Sequence, residues 1–522
     1  MSQTPPSNKY PLLLVVTFMI AIVGINLYSL EQYPLTDCDE IMYADVSYNF
    51  ITGDGFSTDL VGQLHNLDRN QVLFARLYHV GQGVIIYLLG NTLFAARLFS
   101  FLGWGATALL TFLVGKRLFD STTGVLAGLL AAVSLNALYA SHISRSIAWV
   151  TAGVMCTFYY YLVVKEHPTR TRYLFLGFVA SFGAVGFHLN GAWFILVIGL
   201  LVVVENYRTA EGRWWIALFA IGGTAALGII VLMHFLPYPA LTMSQVRSFR
   251  EVMPWAGTLG VRLRSGLNFL RDAYFESMSH AVSAFTAFAL AGIIYALHRR
   301  EKSDWLLLIL FGLSILGFTL GTRHKYNAYF SLWDPLEALF IASAATRISP
   351  AIMRRLPAFF SKLSSRQIAL LLILPLVSLN LAGWLWLSIK FHPRDWGHYL
   401  DEVRALVPPG VRVVGDDKFT YAFAGRNPFI GDIYFIYFRG AELSLQSILQ
   451  DLETLQADYV IDDGAVTCDF GSLPIDQRFS DYLEETCTPV GEVTDRWFGA
   501  WGQIGQGVPT TVYDCGTTFS SR

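Results

Sequence analysis

The stretch that decides the fold is PLLLVVTFMIAIVGINLYSLEQYPLTDCDEIMYAD, Pro11 to Asp45. Its first part, Pro11–Leu30, is an unbroken apolar run of about the length needed to cross hydrocarbon, ~20 residues. Its last part, Leu35–Asp45, carries Asp37, Asp39, Glu40 and Asp45. A secretory signal has a shorter apolar core and a small-residue cleavage site. EQYPL after Leu30 offers no such site, so the run reads as an uncleaved first membrane helix, and the acids mark the face where it emerges.

The rest of the chain supports a membrane class. Of 522 residues, 54% are hydrophobic and only 15% charged, against about 25% charged in a soluble domain; the mean hydropathy is +0.45. The net charge of −2 suggests no polyanion and hence no nucleic-acid partner. The five cysteines form no CxxC pair and no zinc spacing. Apolar runs predict eleven spans, near 11–30, 93–114, 123–141, 146–164, 173–188, 191–204, 214–236, 279–297, 305–321, 328–346 and 367–389.

Lys and Arg collect in alternate short connections: Lys116 and Arg117; Lys165, Arg170 and Arg172; Arg208 and Arg213; Arg299, Arg300 and Lys302; and Arg347, Arg354, Arg355, Lys362 and Arg366. By the positive-inside rule these, with Lys9, are cytoplasmic. The N-terminus is then cytoplasmic, in a multi-pass protein of the plasma (inner) membrane. Residues 31–92, 237–278 and everything after about 390 lie outside. The loop 237–278 holds Arg247, Arg250, Arg262, Arg264 and Arg271 on the side that should be poor in positive charge; an anionic lipid or substrate would account for them. The expected organisation is a membrane domain over 1–390 and an extracytoplasmic domain over 391–522.

That C-terminal part changes character. RVVGDD (412–417), ADYVIDD (457–463) and TTVYDC (510–515) read as strands, and DWGHYLDEVRALV (395–407) and LSLQSILQDLETL (443–455) as helices. A small α/β domain follows. Cys468, Cys487 and Cys515 fall in it, with Cys487–Cys515 as the first pairing to test.

Asp37 and Asp39 form a D-x-D, which can hold a divalent cation between carboxylates, so a metal is left open as a cofactor. Acids also favour helix N-termini, and Asp37 fits equally as an N-cap. Tyr43 lies one helical turn beyond Glu40. ADVSYNFITGDGF (44–56) reads as an amphipathic helix ended by Gly, and ARLYHVGQGVIIYLLG (75–90) as a second helix in the same loop.

Five segments carry a family resemblance: DEIMYADVSYNFITGDGF (39–56), LLGNTLFAARLFSFLGWGATALLTFLVGKRLF (88–119), SHISRSIAWV (141–150), GFHLNG (186–191) and TRHKYNAYFSLWDP (322–335). Together with the topology they resemble the GT-C class of lipid-dependent glycosyltransferases, in the branch of the protein-mannosyltransferases and aminoarabinose transferases (glycosyltransferase family 39). Two departures stand out. Many members have Pro-Pro-Leu-Tyr where this chain has Ala75-Arg76-Leu77-Tyr78, and many have an acid soon after the Arg that corresponds to Arg145.

The resemblance implies a polytopic α-helical GT-C bundle with amphipathic helices in the first outer loop. It implies transfer of a sugar from a polyprenyl-phosphate donor, with inversion, to a lipid, glycan or protein hydroxyl among membrane lipids. One carboxylate must take the acceptor's proton. The family's Asp maps onto Asp39, with Glu40 orienting it or the acceptor and Asp37 as rival base or metal ligand. Arg323, Lys325 and Tyr326 are candidates for the lipid phosphate, which needs positive charge; they equally fit as interfacial anchors. Ionisable residues near spans are functional candidates by default. These are Arg145 and His142 in the second outer loop, His188 in a tight turn, and Arg76 and Arg97 at the end of the first loop. Arg97 fits equally as a partner for a loop acid, and His142 as a span-end cap. A transporter or lipid-linked-sugar flippase is the alternative class; the absence of a repeat and the loop position of the acids favour the enzyme.

Overall fold

The computed structural model describes residues 10–32, 34, 38–58, 60–61, 67–70, 76–252, 258–271, 280–322, 327–355, 363–391, 396–432, 434–435, 444–464, 473–494 and 509–519. Asp37, Arg323, Lys325, Tyr326 and Cys468 lie outside these residues.

The chain begins with α1 (Tyr10–Ser29), then the loop helices α2 (Cys38–Thr52) and α3 (Arg76–Leu89). Gly53 and Gly90 end these two helices at φ 104° and 91°, a region that only glycine enters without strain. The bundle follows: α4 (Leu93–Leu118), α5 (Ser121–Val133), α6 (Leu135–Ser141), α7 (Ile147–Glu166), α8 (Arg170–Val179), α9 (Ala192–Asn206) and α10 (Ala210–His234). After α11 (Pro239–Val252) and α12 (Leu259–Arg271) come α13 (His280–Arg299), α14 (Lys302–Gly321), α15 (Asp334–Met353) and α16 (Ser365–Phe391).

Among the described residues, eight helices are long and apolar enough to cross a membrane, and α5 with α6, bent by 59°, make a ninth. The eleven expected spans all coincide with helix, but two are not counted among these. One is α1, whose described apolar part is Met19–Ser29. The other is 173–188, where α8 has ten residues and passes into a π-helical turn, Ala180–Val185. Hydropathy counts residues and does not see such a break. The bend between α5 and α6 falls at Ser134, whose hydroxyl donates to Asp334 at the start of α15.

Glycine sets the closest helix contacts. A Cβ on Gly177 would lie 1.9 Å from the Phe219 carbonyl oxygen, and one on Gly222 would lie 1.9 Å from that of Leu174, so α8 and α10 touch backbone to backbone. Ion pairs gather at the bundle end made by the C-termini of α4, α7, α9, α13 and α15. They are Arg117–Glu166, Lys165–Glu205, Arg299–Glu301 and Arg347–Asp304. The starts of α4, α7 and α15 lie at the opposite end, with α2.

The C-terminal domain is a five-stranded mixed sheet of order β2-β1-β3-β5-β4. Its strands are β1 (Val413–Gly415), β2 (Phe429–Gly431), β3 (Tyr459–Asp462), β4 (Thr488–Thr494) and β5 (Pro509–Asp514). β2, β1 and β3 run parallel; β5 and β4 are antiparallel to their neighbours. The expected helices are present as α17 (Trp396–Ala405) and α19 (Leu445–Leu455), with a short α18 (Thr420–Phe423) and α20 (Leu473–Thr486) between and after. Cys487 and Cys515 are disulfide-bonded. The domain shares one apolar core with the first loop: Ile41, Met42, Leu60, Val61 and Leu67 pack with Trp396, Tyr399, Phe419 and Phe423. A backbone hydrogen bond from Gly431 N–H to the Leu60 carbonyl, 2.9 Å, closes the junction.

Candidate active site

α2 follows α1 after an eight-residue connection, 30–37, and presents two adjacent acids in its first turn, Asp39 and Glu40. A helix turns about 100° per residue, so the two side chains leave in different directions and meet different environments. Glu40 points into protein. Its Oε1 accepts from Arg97 Nε at 2.6 Å and from the Ser144 backbone N–H at 2.8 Å, and its Oε2 accepts from Arg97 Nη2 at 2.9 Å. Both side chains are fully buried. Arg97 also donates to the carbonyls of Leu30 and Pro34, 2.8 and 3.1 Å away. The pair therefore ties the end of α1, the start of α2, α4 and the α6–α7 connection together.

Asp39 takes the other direction. Its Oδ2 lies 2.7 Å from Arg145 Nη2; the Asp39 side chain is 28% exposed and that of Arg145 7%. The carboxylate is thus paired with Arg145 while remaining partly exposed. Arg145 is fixed through its own backbone, whose carbonyl accepts from Ser100 Oγ at 2.9 Å, and Ser100 bonds Tyr78 Oη at 2.7 Å.

Tyr43, one turn along α2, is buried against Tyr78 and His79, with ring centroids 5.5 and 5.2 Å away. Burial pushes its hydroxyl well above the ordinary tyrosine range, with Arg145 pulling the other way. Tyr43 also senses Asp39 and Tyr329. His188 caps the turn before α9 by accepting from Asn190 N–H at 3.2 Å; its ring lies 5.7 Å from Tyr329 and within electrostatic reach of Arg145. Asp39, Tyr43, Arg145, His188 and Tyr329 thus share one neighbourhood.

Two expected site residues sit elsewhere. His142 packs edge-on to Trp384, 4.5 Å away, and its Nε2 and Nδ1 lie 3.0 and 2.9 Å from the Asn26 and Leu138 carbonyls. It joins α1 to α6. Arg76 donates to the Met233 carbonyl at 2.6 Å and to Asn70 Oδ1 at 2.9 Å, with its guanidinium 4.7 Å from the Phe56 ring centroid. It joins the first loop to the end of α10. Among the described residues no three His, Cys, Asp or Glu side chains converge on a point that could hold a metal ion.

Three neighbours escaped the sequence reading. Tyr329 precedes α15 and meets His188. Ser144 supplies the N–H that fixes Glu40. Tyr421, from α18 of the C-terminal domain, comes close enough to Glu40 and Arg97 to feel both. Burial raises its hydroxyl strongly, Glu40 adds to this, and its Oη has no hydrogen-bond partner among the described residues. Nothing in an isolated TYAF tetrapeptide signals this, because the contact joins opposite ends of the chain.

The architecture is that of ArnT from Cupriavidus metallidurans. The apo structure aligns with a TM-score of 0.64 at 12% identity, covering 97% of this chain and 98% of that one. The structure of that protein bound to undecaprenyl phosphate aligns equally well at 13% identity, with the same coverage. The Archaeoglobus fulgidus oligosaccharyltransferase in complex with zinc and sulfate aligns at TM-score 0.56 and 16% identity, covering 93% of this chain and 73% of that one. No family model and no curated protein matches the sequence.

Proposed function

We propose that the chain is an integral membrane glycosyltransferase of the family 39 type. It moves a sugar from a polyprenyl-phosphate donor to an acceptor hydroxyl at the outer face of the membrane, with inversion at the anomeric carbon. The observation that carries this reading is Asp39, a partly exposed carboxylate held by Arg145 at 2.7 Å, in the fold of a protein whose structure holds undecaprenyl phosphate. A further structure of the shared fold, the Archaeoglobus fulgidus oligosaccharyltransferase, holds a dolichol-phosphate (TM-score 0.51, 14% identity, 92% of this chain and 73% of that one).

The chemistry asks little of the protein. The acceptor hydroxyl gives its proton to Asp39 as its oxygen bonds the anomeric carbon. The bond from that carbon to the phosphate oxygen breaks on the opposite face, and polyprenyl phosphate leaves with the electron pair. Cations stabilise the leaving phosphate. Arg145 and the segment Arg323, Lys325 and Tyr326, just before Tyr329, are assigned that task. Glu40 acts as a positioning residue through Arg97 and Ser144, and His188 and Tyr43 line the sugar's approach.

The test is transfer from a panel of labelled polyprenyl-phosphate sugars in native membranes, comparing wild type with Asp39→Asn at matched expression. Transfer by wild type that disappears in the variant supports the reading and the base. Equal transfer in both removes Asp39 from that role. No release of label from any carrier by wild type, with uptake of the intact lipid across the membrane instead, sinks the enzyme reading.

A further inference from the structure

The arginine-rich connection between α10 and α13 is not needed by the chemistry above, and it has a definite build. One side of α12 is fastened to the bundle. Gly266 sits so close to Thr319 of α14 that a Cβ there would meet its Cγ2 at 2.0 Å. Phe269 is buried, with its ring 4.5 Å from Phe330 and 5.6 Å from Phe318. On another face, Leu259, Leu263 and Leu267 recur every fourth residue and are all exposed. Arg264 and Arg271, also exposed, follow Leu263 and Leu267 on the helical wheel, about 80–100° round from that stripe's centre. α11 repeats the pattern. Buried Gln245 donates to the Asn70 carbonyl at 2.7 Å, while Met243 and Arg247, one turn apart, are exposed. α12 contains no acid, and α11 contains one, Glu251, in its last turn.

A leucine stripe bordered by arginines, on helices pinned to a membrane bundle, matches a helix lying at the boundary of acyl chains and headgroups. Residues 239–271 carry five arginines against one acid, Glu251, and the complement of that excess is a negative lipid surface. We infer that α11 and α12 form a docking surface for anionic phospholipid, with the leucines in the acyl boundary and Arg247, Arg264 and Arg271 on headgroup phosphates. This does not depend on the proposed transfer reaction.

The full chain would be reconstituted in bilayers containing photoactivatable phosphatidylglycerol or photoactivatable phosphatidylcholine at equal mole fraction. Labelled peptides would be mapped by mass spectrometry. The α12 peptide should take several-fold more phosphatidylglycerol than phosphatidylcholine. That ratio should fall stepwise towards one in Arg264→Gln and Arg264→Gln/Arg271→Gln, by up to roughly fivefold for an arginine removed, while labelling of α10 and α13 stays constant. Arg264→Lys/Arg271→Lys should keep the preference, which separates lost charge from lost folding. Equal labelling by the two lipids in wild type, or a ratio indifferent to the glutamine variants, overturns the inference.

Discussion

Glu40 and Arg97 are joined by two hydrogen bonds of 2.6 and 2.9 Å, with neither side chain exposed. One residue earlier, Asp39 meets its own arginine at 2.7 Å and remains open to solvent. Two neighbouring acids of one helical turn therefore face different fates on substitution.

Glu40→Gln and Arg97→Gln should each destabilise strongly. Removing one member of a buried pair strands the other charge, at a cost of roughly 3–5 kcal/mol. Thermal unfolding of the purified protein should show a large drop for each single variant, and a double variant, Glu40→Gln/Arg97→Gln, should recover part of it. Additive losses would mean that the two residues do not act as a pair.

Asp39→Asn should shift the balance from stability to transfer. Asp39 is itself partly exposed and Asn keeps a hydrogen-bond acceptor for the buried Arg145, so the unfolding temperature should fall less than for Glu40→Gln while transfer falls by about 10²–10⁴ if Asp39 is the base. Arg145→Lys keeps the charge but not the planar fork. We expect transfer to fall tenfold or more, on the scale of roughly 1.5–3 kcal/mol for a hydrogen bond to a charged group. Unchanged kcat/KM in Arg145→Lys would show that the contact to Asp39 is not used in the reaction.

Asp432, just after β2, makes stability depend on pH. Burial, helped by the neighbouring Asp417 and Asp416, holds its carboxyl well above the usual range. An acid raised in the folded state favours folding most when protonated. Its contribution is therefore present at low pH and is lost as pH rises from the ordinary carboxylate value through the raised one. Asp432→Asn should flatten the unfolding-temperature profile above the ordinary carboxylate value. A profile that keeps the wild-type slope would place the titration elsewhere.

Gly177→Ala and Gly222→Ala should force α8 and α10 apart, since each new Cβ would lie 1.9 Å from a carbonyl oxygen. A loss of about 1–3 kcal/mol is expected. Gly228→Ala in α10, where the space is open, serves as the control and should be neutral or slightly stabilising.

Reduction of Cys487–Cys515, which closes a loop with a sequence separation of 28, should cost the C-terminal domain roughly 3 kcal/mol. The check is a second, earlier unfolding transition in reducing buffer, lost in neither the bundle's circular dichroism nor its detergent-solubilised size.

Much of this fold could be read from the chain because its determinants are local. Apolar runs mark the spans, and the buried strands RVVGDD, ADYVIDD and TTVYDC announce β1, β3 and β5. β2 and β4 were not visible: PFIG is too short to show a period, and TPVGEVT is largely exposed. The broken helices at Ser134 and at Ala180–Val185 were hidden for a different reason, since composition does not record where a hydrogen-bond ladder changes pitch. In the candidate site, the acids of α2 stood out by position. Their different surroundings did not, because these depend on Arg97 and Arg145, which lie far along the chain. Tyr421 was invisible on the same ground.

The shared core between the first loop and the C-terminal domain also orders events during synthesis. Leu60 must wait for Gly431, about 370 residues later, before its carbonyl finds the partner it has in the finished protein. At ~5–20 residues per second that interval is on the order of tens of seconds. Throughout it Ile41, Met42 and Val61 have no lid, although the bundle beneath them is already being assembled. A chain interrupted before β2 would therefore present a greasy, half-finished loop to the quality-control machinery, which makes the last quarter of the sequence the step that certifies the first.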